Sequence, residues 1–304
     1  MVSWPDAGTR VTIRYRRPAG SVPPLTDAVG QLLSTEPSVR VRTKSGAIAE
    51  FAPADVVALR VLTDAPVRTA QIRALEHAAA AAWPGVEQTW LDGWLLRAGH
   101  GVTLSANSAV PLSISAQPSA IPAIVDWYAR RGLIPRLAFP ERLMRAPGGL
   151  PTERIVRVLV RDVSAGDEVA PPARGSQAGV TLGAVTLSAQ PGEAWLDRGL
   201  SVDVLTAVVD GEVVFGTHAG GAVARAAVTG APDGTRWVGL SGLRLGGDQS
   251  AVDRLGKAML AWGAERGATR AYIRARDSAL AESLGFRLHH RVIHVRVDTG
   301  GTDD

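Results

Sequence analysis

The sequence predicts an α+β protein, with a small β-barrel at the N-terminus followed by a mixed-sheet region. Two observations carry this prediction. Residues 1–65 contain short apolar–polar alternations at the period of a strand, whereas helical periodicity alternates with strands through the rest of the chain. Apolar residues make up 46% of the 304 residues, which is ample for more than one core. We therefore expect a barrel at 1–65, two α/β segments at 66–164 and 165–298, and a disordered tail at 299–304.

The composition excludes several kinds of site and location. With 33 basic and 29 acidic side chains the formal net charge is only +4, which argues against nucleic-acid binding. The chain has no cysteine, so disulfides, zinc–thiolate sites and a cysteine acyl-enzyme are excluded. The N-terminus has no apolar leader, and no stretch approaches the roughly 18 apolar residues of a membrane span. We expect a cytoplasmic protein without membrane contact, and the sequence assigns no oligomeric state.

The barrel is predicted from five short strands. Val11, Ile13 and Tyr15 alternate with polar residues, and the other four strands are predicted at 26–33, 39–43, 47–51 and 56–62. Five strands in so short a segment are typical of an SH3-like barrel. Basic residues on these strands are nearly balanced by acidic ones. We therefore expect the barrel to hold a partner or to pack on the rest of the chain.

The middle segment predicts the order helix, hairpin, helix, strand, with no bounds for the last strand. Its elements are a helix at 68–83, strands at 93–97 and 102–108, and a second helix at 121–131. Trp90, Trp94 and Asn107 are candidates for a substrate pocket. The alternative, favoured for each residue taken singly, is two core tryptophans and a turn asparagine.

The last third of the chain contains the strongest functional pattern. Its predicted elements are strands at 202–209, 212–217 and 237–245, a helix at 250–266, a strand at 271–274, a short helix at 278–284 and a strand at 288–297. Asp210-Gly211 predicts a hairpin turn between the first two strands. The strand at 237–245 is followed by Gly246-Gly247 and then directly by a helix. A strand, a glycine turn and a helix place backbone N–H groups in front of a phosphate.

Several strings in this order resemble the GNAT family of N-acetyltransferases. They are residues 93–97, 106–108, 127–133, 243–245, 255–260 and 282–286. The N-terminal segment resembles the SH3-like domain of an actinobacterial GNAT family, whose members are described as histone acetyltransferase-like or N-acetylglutamate synthase-like. The resemblance implies a tandem GNAT-like fold with a degenerate first half, and acetyl-CoA as co-substrate. It also implies that the coenzyme lies against Leu243, Arg244, Leu245, Arg254, Leu255, Gly256 and Lys257.

Three positions depart from the family pattern. Arg254 stands where the phosphate loop of the family has its first glycine, and Ala251 stands where the loop begins with Arg or Gln. A side chain at 254 crowds the approach of a phosphate to the backbone, although Arg254 and Lys257 can also pair with phosphates directly. Ala281 stands where many members carry the tyrosine that protonates the departing thiolate. Losing one general acid costs about 100- to 10,000-fold in rate.

The sequence therefore predicts transfer of an acetyl group from acetyl-CoA to a primary amine by direct attack. The acceptor is either an amino acid such as glutamate or a protein amine. The alternative is an acyl-CoA-binding or sensing module with weakened catalysis, in which the barrel is the interaction surface. No catalytic residue is assigned, because no motif fixes any of the base candidates Glu193, Asp203, Glu212 and His218.

Three histidines near the C-terminus invite a metal interpretation, which we reject. On a strand His290 and His294 share one face but stand about 13 Å apart, and His289 points to the other face. They cannot form one site by themselves. We therefore expect no metal.

Overall fold

The computed structural model describes residues 4–5, 9–43, 46–62, 67–163, 180–182, 184–196, 199–244, 249–276 and 279–297. The chain divides into two compact units, residues 1–66 and 67–304. The predicted tail at 299–304 lies outside the described residues. The further division of the second unit at residue 164 stays a prediction.

The first unit is an antiparallel sheet of five strands in the order β4-β3-β2-β1-β5. Its strands are β1 (Arg10–Arg16), β2 (Leu25–Ser34), β3 (Val39–Thr43), β4 (Ile48–Phe51) and β5 (Val56–Val61). Alternation places Val11, Ile13 and Leu32 in a small core. The five strands agree with the prediction, but the closed barrel does not. In the described residues β4 and β5 pair only with β3 and β1, so these two edges do not meet.

The second unit contains a nine-stranded mixed sheet and a separate three-stranded sheet. The nine-stranded sheet has the order β11-β12-β13-β14-β15-β16-β10-β17-β9. Its strands are β9 (Arg136–Pro140), β10 (Thr152–Asp162), β11 (Val180–Leu182), β12 (Val185–Ser188), β13 (Glu212–His218), β14 (Val223–Gly230), β15 (Arg236–Arg244), β16 (Arg270–Ala275) and β17 (Arg287–Arg296). The smaller sheet consists of β6 (Glu87–Leu91), β7 (Trp94–Ala98) and β8 (Val110–Pro111).

Six α-helices accompany these sheets in the described part of the chain. They are α1 (Thr69–Ala82), α2 (Ile121–Ala129), α3 (Glu193–Leu196), α4 (Val202–Thr206), α5 (Gln249–Glu265) and α6 (Ala279–Ser283). Helices α1 and α5 cover opposite faces of the large sheet. Leu75 and Ala79 of α1 pack with Trp237 and Tyr272. On the other face, α5 packs with Ile273 and with other side chains of the same strands. These side chains alternate along each strand with those that face α1.

Strands β15 and β16 separate at one end. They form a parallel pair from Trp237 opposite Arg270 to Leu240 opposite Ile273, and α5 makes the crossover between them. Beyond Leu240, β15 continues for four residues that pair with no described residue of β16. The sheet is therefore split over residues 241–244, a point we call the splay.

Two predicted strands are wrong. Residues 202–206 form helix α4, because Val204 and Leu205 are buried as neighbours and the guanidinium of Arg225 binds the carbonyl of Leu205. Strand β13 pairs with β12 and β14 instead, so Asp210-Gly211 does not join two strands. The stretch at 102–108 is a loop, because Asn107 binds backbone groups across it.

Candidate active site at the splay

A cavity of about 470 Å³ opens on the α1 side of the sheet at the splay, and we call it the splay cavity. Its walls come from β15, β16, α1, β10, α3 and two loops. The lining residues are Ala79, Trp83, Val102, Thr103, Ser105, Arg154, Trp195, Leu200, Gly239, Leu240, Ser241, Gly242, Tyr272 and Arg274. A volume of this size suits a small molecule or one end of a larger one.

The backbone of β15 is bulged where it borders this cavity. Between Arg225 opposite Ser241 and Val223 opposite Arg244, β15 has one residue more than β14. Gly242 adopts φ +66°, and a Cβ added there would lie 2.3 Å from the indole of Trp195. Only glycine meets both demands. A bulge of this kind interrupts the ladder and changes the direction of the backbone groups, and residues Ser241 and Gly242 within it line the cavity.

Tyr272 lies at the closed end of the splay. It pairs with Gly239 across the two strands, and a Cβ added to Gly239 would lie 2.3 Å from the Tyr272 hydroxyl. The absence of a side chain at 239 therefore lets the ring lie over β15. Burial raises the pKa of Tyr272 to about 12, so its hydroxyl keeps its proton throughout the neutral range.

A second cavity, of about 370 Å³, adjoins the first, and we call it the arginine cavity. Its lining residues are Gly101, Val102, Thr103, Leu104, Ser105, Arg136, Glu153, Arg154, Val156, Arg274, Ala275, Arg276 and His294. The two cavities share the walls formed by Arg154, Arg274 and the loop at 102–105. Four arginines and one glutamate face the second cavity, so its charge is positive.

A buried ion network fixes Arg274 between the two cavities. Glu76 of α1 is 2% exposed and forms an ion pair with Arg274, and its other carboxylate oxygen lies 2.9 Å from Nε2 of His290. Burial alone would raise the pKa of Glu76. The charge of Arg274 and the hydrogen bond from His290 outweigh burial and hold this pKa well below its usual range.

His290 lies between Glu76 and His289. An ionised Glu76 only accepts, so Nε2 of His290 donates to it. Nδ1 of His290 lies 2.8 Å from Nδ1 of His289, and the tautomers of the two rings decide which nitrogen donates. Burial, with the charge of His290 next in size, lowers the pKa of His289 to about 3.

Arg225 supports the opposite wall of the splay cavity. Its guanidinium is fully buried, donates to the carbonyls of Leu205 and Ala82 at 2.7 and 2.9 Å, and lies 4.0 Å from the ring centre of Trp83. Burial lowers its pKa to about 9. The arrangement caps the C-terminal end of α1 with a cation and fixes the Trp83 ring beside the cavity.

Buried His294 gives stability a pH dependence in weak acid. Burial, with the nearby charges of Arg274 and Arg97, lowers its pKa to about 3. An unfolded histidine has a pKa of about 6.5, so below this pH unfolding takes up a proton and stability falls by about 1.4 kcal/mol per pH unit. We expect His294→Gln to flatten the fall in unfolding free energy between pH 6.5 and 5, measured by urea denaturation. Parallel curves for the two proteins would contradict this assignment.

The residues predicted to bind the coenzyme fall into two groups. Leu243 and Arg244 end β15 at the splay, whereas Leu245 lies outside the described residues. Arg254, Leu255, Gly256 and Lys257 lie in the second turn of α5, where backbone N–H groups donate within the helix. Only the side chains of Arg254 and Lys257 are exposed there. A phosphate contact from this group would therefore come from side chains.

Gly256 has a packing role that explains its identity. A Cβ at 256 would lie 2.9 Å from a methyl group of Leu284, which follows α6. Leu255 is fully buried in the core between α5 and the sheet. Arg254 lies beside His218, with its Nε 3.1 Å from the Nε2 atom of that residue.

The base candidates do not gather at either cavity. His218 is buried next to Arg254, and Glu212 pairs with Arg266 at 2.8 Å. Hydrogen bonds from the side chains of Ser201 and His100 lower the pKa of Asp203 to about 2, which makes it a weak base. Exposed Glu193 begins α3 and does not line the cavities.

The other sequence candidates have structural roles. Trp94 is fully buried and donates to the carbonyl of Gln117 at 3.0 Å, whereas Trp90 is 54% exposed. The amide of Asn107 bonds to both backbone groups of Gly99 and to one backbone group each of Gly101 and Thr103. Within the described ranges, no three His, Asp or Glu side chains cluster closely enough to hold a metal ion. No described helix is long and apolar enough to cross a membrane.

The sequence analysis missed the residues that line the two cavities. Gly239, Gly242 and Tyr272 stand on strands it predicted, but their common location depends on the parallel pairing of β15 with β16. Glu76 could have been found, because it interrupts the alanine-rich buried face of the predicted helix at 68–83. Arg154 stands on β10, for which no strand was predicted.

Comparisons with known proteins agree with this geometry. Residues 69–295 match a family model described as "Probable histone acetyltransferase Rv0428c C-terminal", and residues 5–60 match one described as "Rv0428c N-terminal Sm-like domain". A "Probable histone acetyltransferase Rv0428c" from Mycobacterium tuberculosis is 60% identical over all of this chain and 99% of its own length.

The splayed parallel pair and the family match define an acyltransferase of the GNAT type. The chain belongs to the Rv0428c family, in which an Sm-like domain precedes the acetyltransferase domain. The family resemblance found in the sequence is thus confirmed.

Solved structures with some similarity include two acetyltransferases. A GCN5-related N-acetyltransferase from Kribbella flavida has 18% identity and a TM-score of 0.45, and covers 78% of this chain and 98% of its own. One from Sphaerobacter thermophilus has 14% identity and a TM-score of 0.33, and covers 78% of this chain and 96% of its own. Identities and TM-scores this low support no conclusion about this chain.

Proposed function

We propose that the protein transfers the acetyl group of acetyl-CoA to a primary amine at the splay cavity. One observation carries this proposal: the cavity lies where β15 leaves β16, and a glycine bulge exposes the β15 backbone to it. An extended pantetheine arm carries amides that can pair with such a free strand edge. Residues 241–244 of β15 offer that edge.

The chemistry is direct attack of the amine on the thioester. The neutral amine nitrogen bonds to the carbonyl carbon and gives up a proton to solvent, the carbon–sulfur bond breaks, and coenzyme A leaves as a thiolate that takes up a proton. In this proposal, backbone N–H groups near Gly242 stabilise the negative oxygen of the tetrahedral intermediate. Holding amine and thioester together supplies much of the acceleration.

Tyr272 is the proposed proton donor to the departing thiolate. Ala281 stands where the family pattern has a tyrosine, and it is 1% exposed within the core on the α5 side of the sheet. Tyr272 instead reaches the splay from β16, and its raised pKa keeps it protonated. A hydroxyl from a different strand thus replaces the one absent from α6.

Acetyl-CoA binding is testable without knowledge of the acceptor. At 100 times its dissociation constant the ligand should raise the free energy of unfolding by about 2.7 kcal/mol. We expect a matching rise in melting temperature with acetyl-CoA and with CoA. Arg254→Glu should weaken this binding if the guanidinium contacts a phosphate. The control is Arg130→Gln, since Arg130 is exposed at the end of α2 and lines neither cavity.

The results distinguish acetyl transfer from a binding or sensing function without catalysis. Stabilisation together with thiol release in the presence of an amine supports acetyl transfer. Stabilisation without thiol release for any amine would favour a binding or sensing module, which the substitutions at 254 and 281 also favour. No stabilisation by either ligand would refute both.

Three further parts belong to the same proposal. We infer that the protein acts in the cytoplasm and that the open five-stranded sheet of its first unit follows an SH3-like strand arrangement. We also infer that this unit contacts a partner rather than nucleic acid, because its charges nearly balance.

A further inference from the structure

We propose that the acceptor is a small amine that also bears a carboxylate, and that the arginine cavity binds this carboxylate while the amine reaches the splay cavity. The inference rests on the proposed acetyl transfer and names its substrate class. Three features of the arginine cavity support it: its charge, its unpaired nitrogen atoms and its position.

The first feature is the net charge of the arginine cavity. Of the ionisable groups lining the arginine cavity, Arg136 pairs with Glu153 at 2.9 Å and is neutralised by it. Arg274 is balanced by buried Glu76. Arg154 and Arg276 remain as an excess of two positive charges, with His294 neutral behind them. A cavity with this charge attracts an anion and repels a cation.

The second feature is a pair of arginine nitrogen atoms that lack hydrogen-bond partners. Nε of Arg154 and Nε of Arg274 are both buried, and neither has a hydrogen-bond partner in the described part of the chain. A buried donor without a partner costs about 1–3 kcal/mol, so two such donors on side chains that line the same cavity favour an acceptor there. A carboxylate has two oxygens and can accept from both arginines.

The third feature is the position of the arginines between the two cavities. Arg154 and Arg274 are the two charged residues that line both cavities. Arg274 lies two residues beyond Tyr272 on β16, so both side chains stand on the α1 face of the sheet. A ligand held by these arginines therefore extends toward Tyr272 and the bulge, where the thioester is proposed to lie. An α-amino acid joins its amine and carboxylate through one carbon and fits this short distance.

The same charges disfavour a lysine within a basic tail. Such a tail would bring further cations against Arg154 and Arg276, and like charges at an interface weaken binding. The name of the Mycobacterium tuberculosis relative refers to histones, but the cavity of this chain favours an anionic amine.

The experiment compares amine pairs that differ only in the carboxylate. Thiol release from acetyl-CoA is measured with L-glutamate, L-aspartate and L-leucine, with the amide of each in which every carboxylate is amidated, and with a lysine-rich peptide. The amine of an amide has the lower pKa and is more often neutral, so any preference for the acid must come from binding. We expect kcat/KM at least about tenfold higher for an acid than for its amide, the fold-change of one charged hydrogen bond.

Arg154→Gln tests the arginine itself. We expect KM for the acids to rise about 10- to 100-fold, with the amides changed less than about twofold. Arg130→Gln is the matched control, and it should keep the wild-type ratio of acid to amide. Arg274→Lys is a second variant, because it keeps a cation beside Glu76 while removing the planar guanidinium.

The outcomes separate this inference from the proposed function. Equal use of acids and amides, preference for the lysine peptide, or an equal loss for both substrates in Arg154→Gln would overturn the carboxylate site. If acetyl-CoA neither binds nor reacts, the proposed function fails instead. Calorimetric titration of L-glutamate into wild type and Arg154→Gln then still decides the anion site. Weaker binding by the variant supports it, and no binding by either protein refutes it.

Discussion

Tyr272→Phe is expected to lower kcat about 100- to 10,000-fold while the KM for acetyl-CoA changes little. The hydroxyl is the proposed donor to the departing thiolate, and the loss of one general acid has this range. The ring itself would stay in place, because it packs over Gly239 and approaches Trp237 edge-on, with ring centres 6.3 Å apart. Steady-state kinetics with the best acceptor measures the effect.

Two controls distinguish chemistry from structure, since the chain contains only three tyrosines. Tyr15 stacks on Phe51 in the first unit, and Tyr128 is buried and donates to the carbonyl of Arg97 at 2.9 Å. Tyr128→Phe therefore removes a buried hydroxyl hydrogen bond away from the splay. It should lower stability by about 1 kcal/mol and leave kcat within about twofold. The same modest change in Tyr272→Phe would exclude it as the donor.

The pH dependence of kcat provides a further check on Tyr272. With a pKa of about 12, the wild-type donor stays protonated through pH 10, so its titration should cause no fall in kcat in that range. A decline with an apparent pKa near 10 in wild type, absent from Tyr272→Phe, would contradict the buried environment of the hydroxyl.

The sequence predicts most elements of this fold because their periodicity is local. The helix predicted at 250–266 is observed as α5, and the strand predicted at 237–245 as β15, each within a residue or two. Strand β14 was not predicted, since seven of its eight residues are buried and two-sided burial removes the alternation. Residues 202–206 were misread because Val202 to Thr206 is rich in β-branched residues, yet burial of Val204 and Leu205 decides for a helix.

The candidate site was less predictable, because it depends on pairing between distant segments. The resemblance located the end of β15 correctly in the chain, at Leu243 and Arg244, but whether these residues bind the coenzyme stays a prediction. The walls of both cavities depend on the insertion of β10 between β16 and β17, which brings Arg154 beside Arg274. No local pattern encodes that insertion. The sequence alone therefore offered too many arginines to choose a carboxylate site.

Glu76→Gln is expected to have the largest effect on stability. Glu76 is the one acid in a buried group that also contains Arg274 and His290, and its replacement leaves the guanidinium without its counter-charge. Removing one partner of a buried ion pair costs about 3–5 kcal/mol. Urea denaturation at pH 7 measures this loss. Glu87→Gln is the control, because Glu87 pairs with Arg131 at the surface and should cost no more than about 1 kcal/mol.

The same substitution should also weaken the site, because Glu76 determines where Arg274 lies. In a variant that remains folded, we expect KM for a carboxylate-bearing amine to rise while that for the matching amide stays nearly unchanged. A double variant, Glu76→Gln with Arg274→Met, should be less destabilised than the sum of the two single changes, since no buried charge is then left alone. Additive losses would mean that the two side chains do not depend on each other.

The pH dependence of this stability has a definite sign. The folded-state pKa of Glu76 is depressed, so its contribution is complete above the ordinary glutamate pKa of about 4.3 and falls as pH drops below that value. The difference in unfolding free energy between wild type and Glu76→Gln should be constant from pH 7 to 5. Below about pH 4.3 it should shrink by about 1.4 kcal/mol per pH unit, because only the wild type then takes up a proton at this position on unfolding. A difference that grows in acid would contradict an ionised Glu76 in the folded protein.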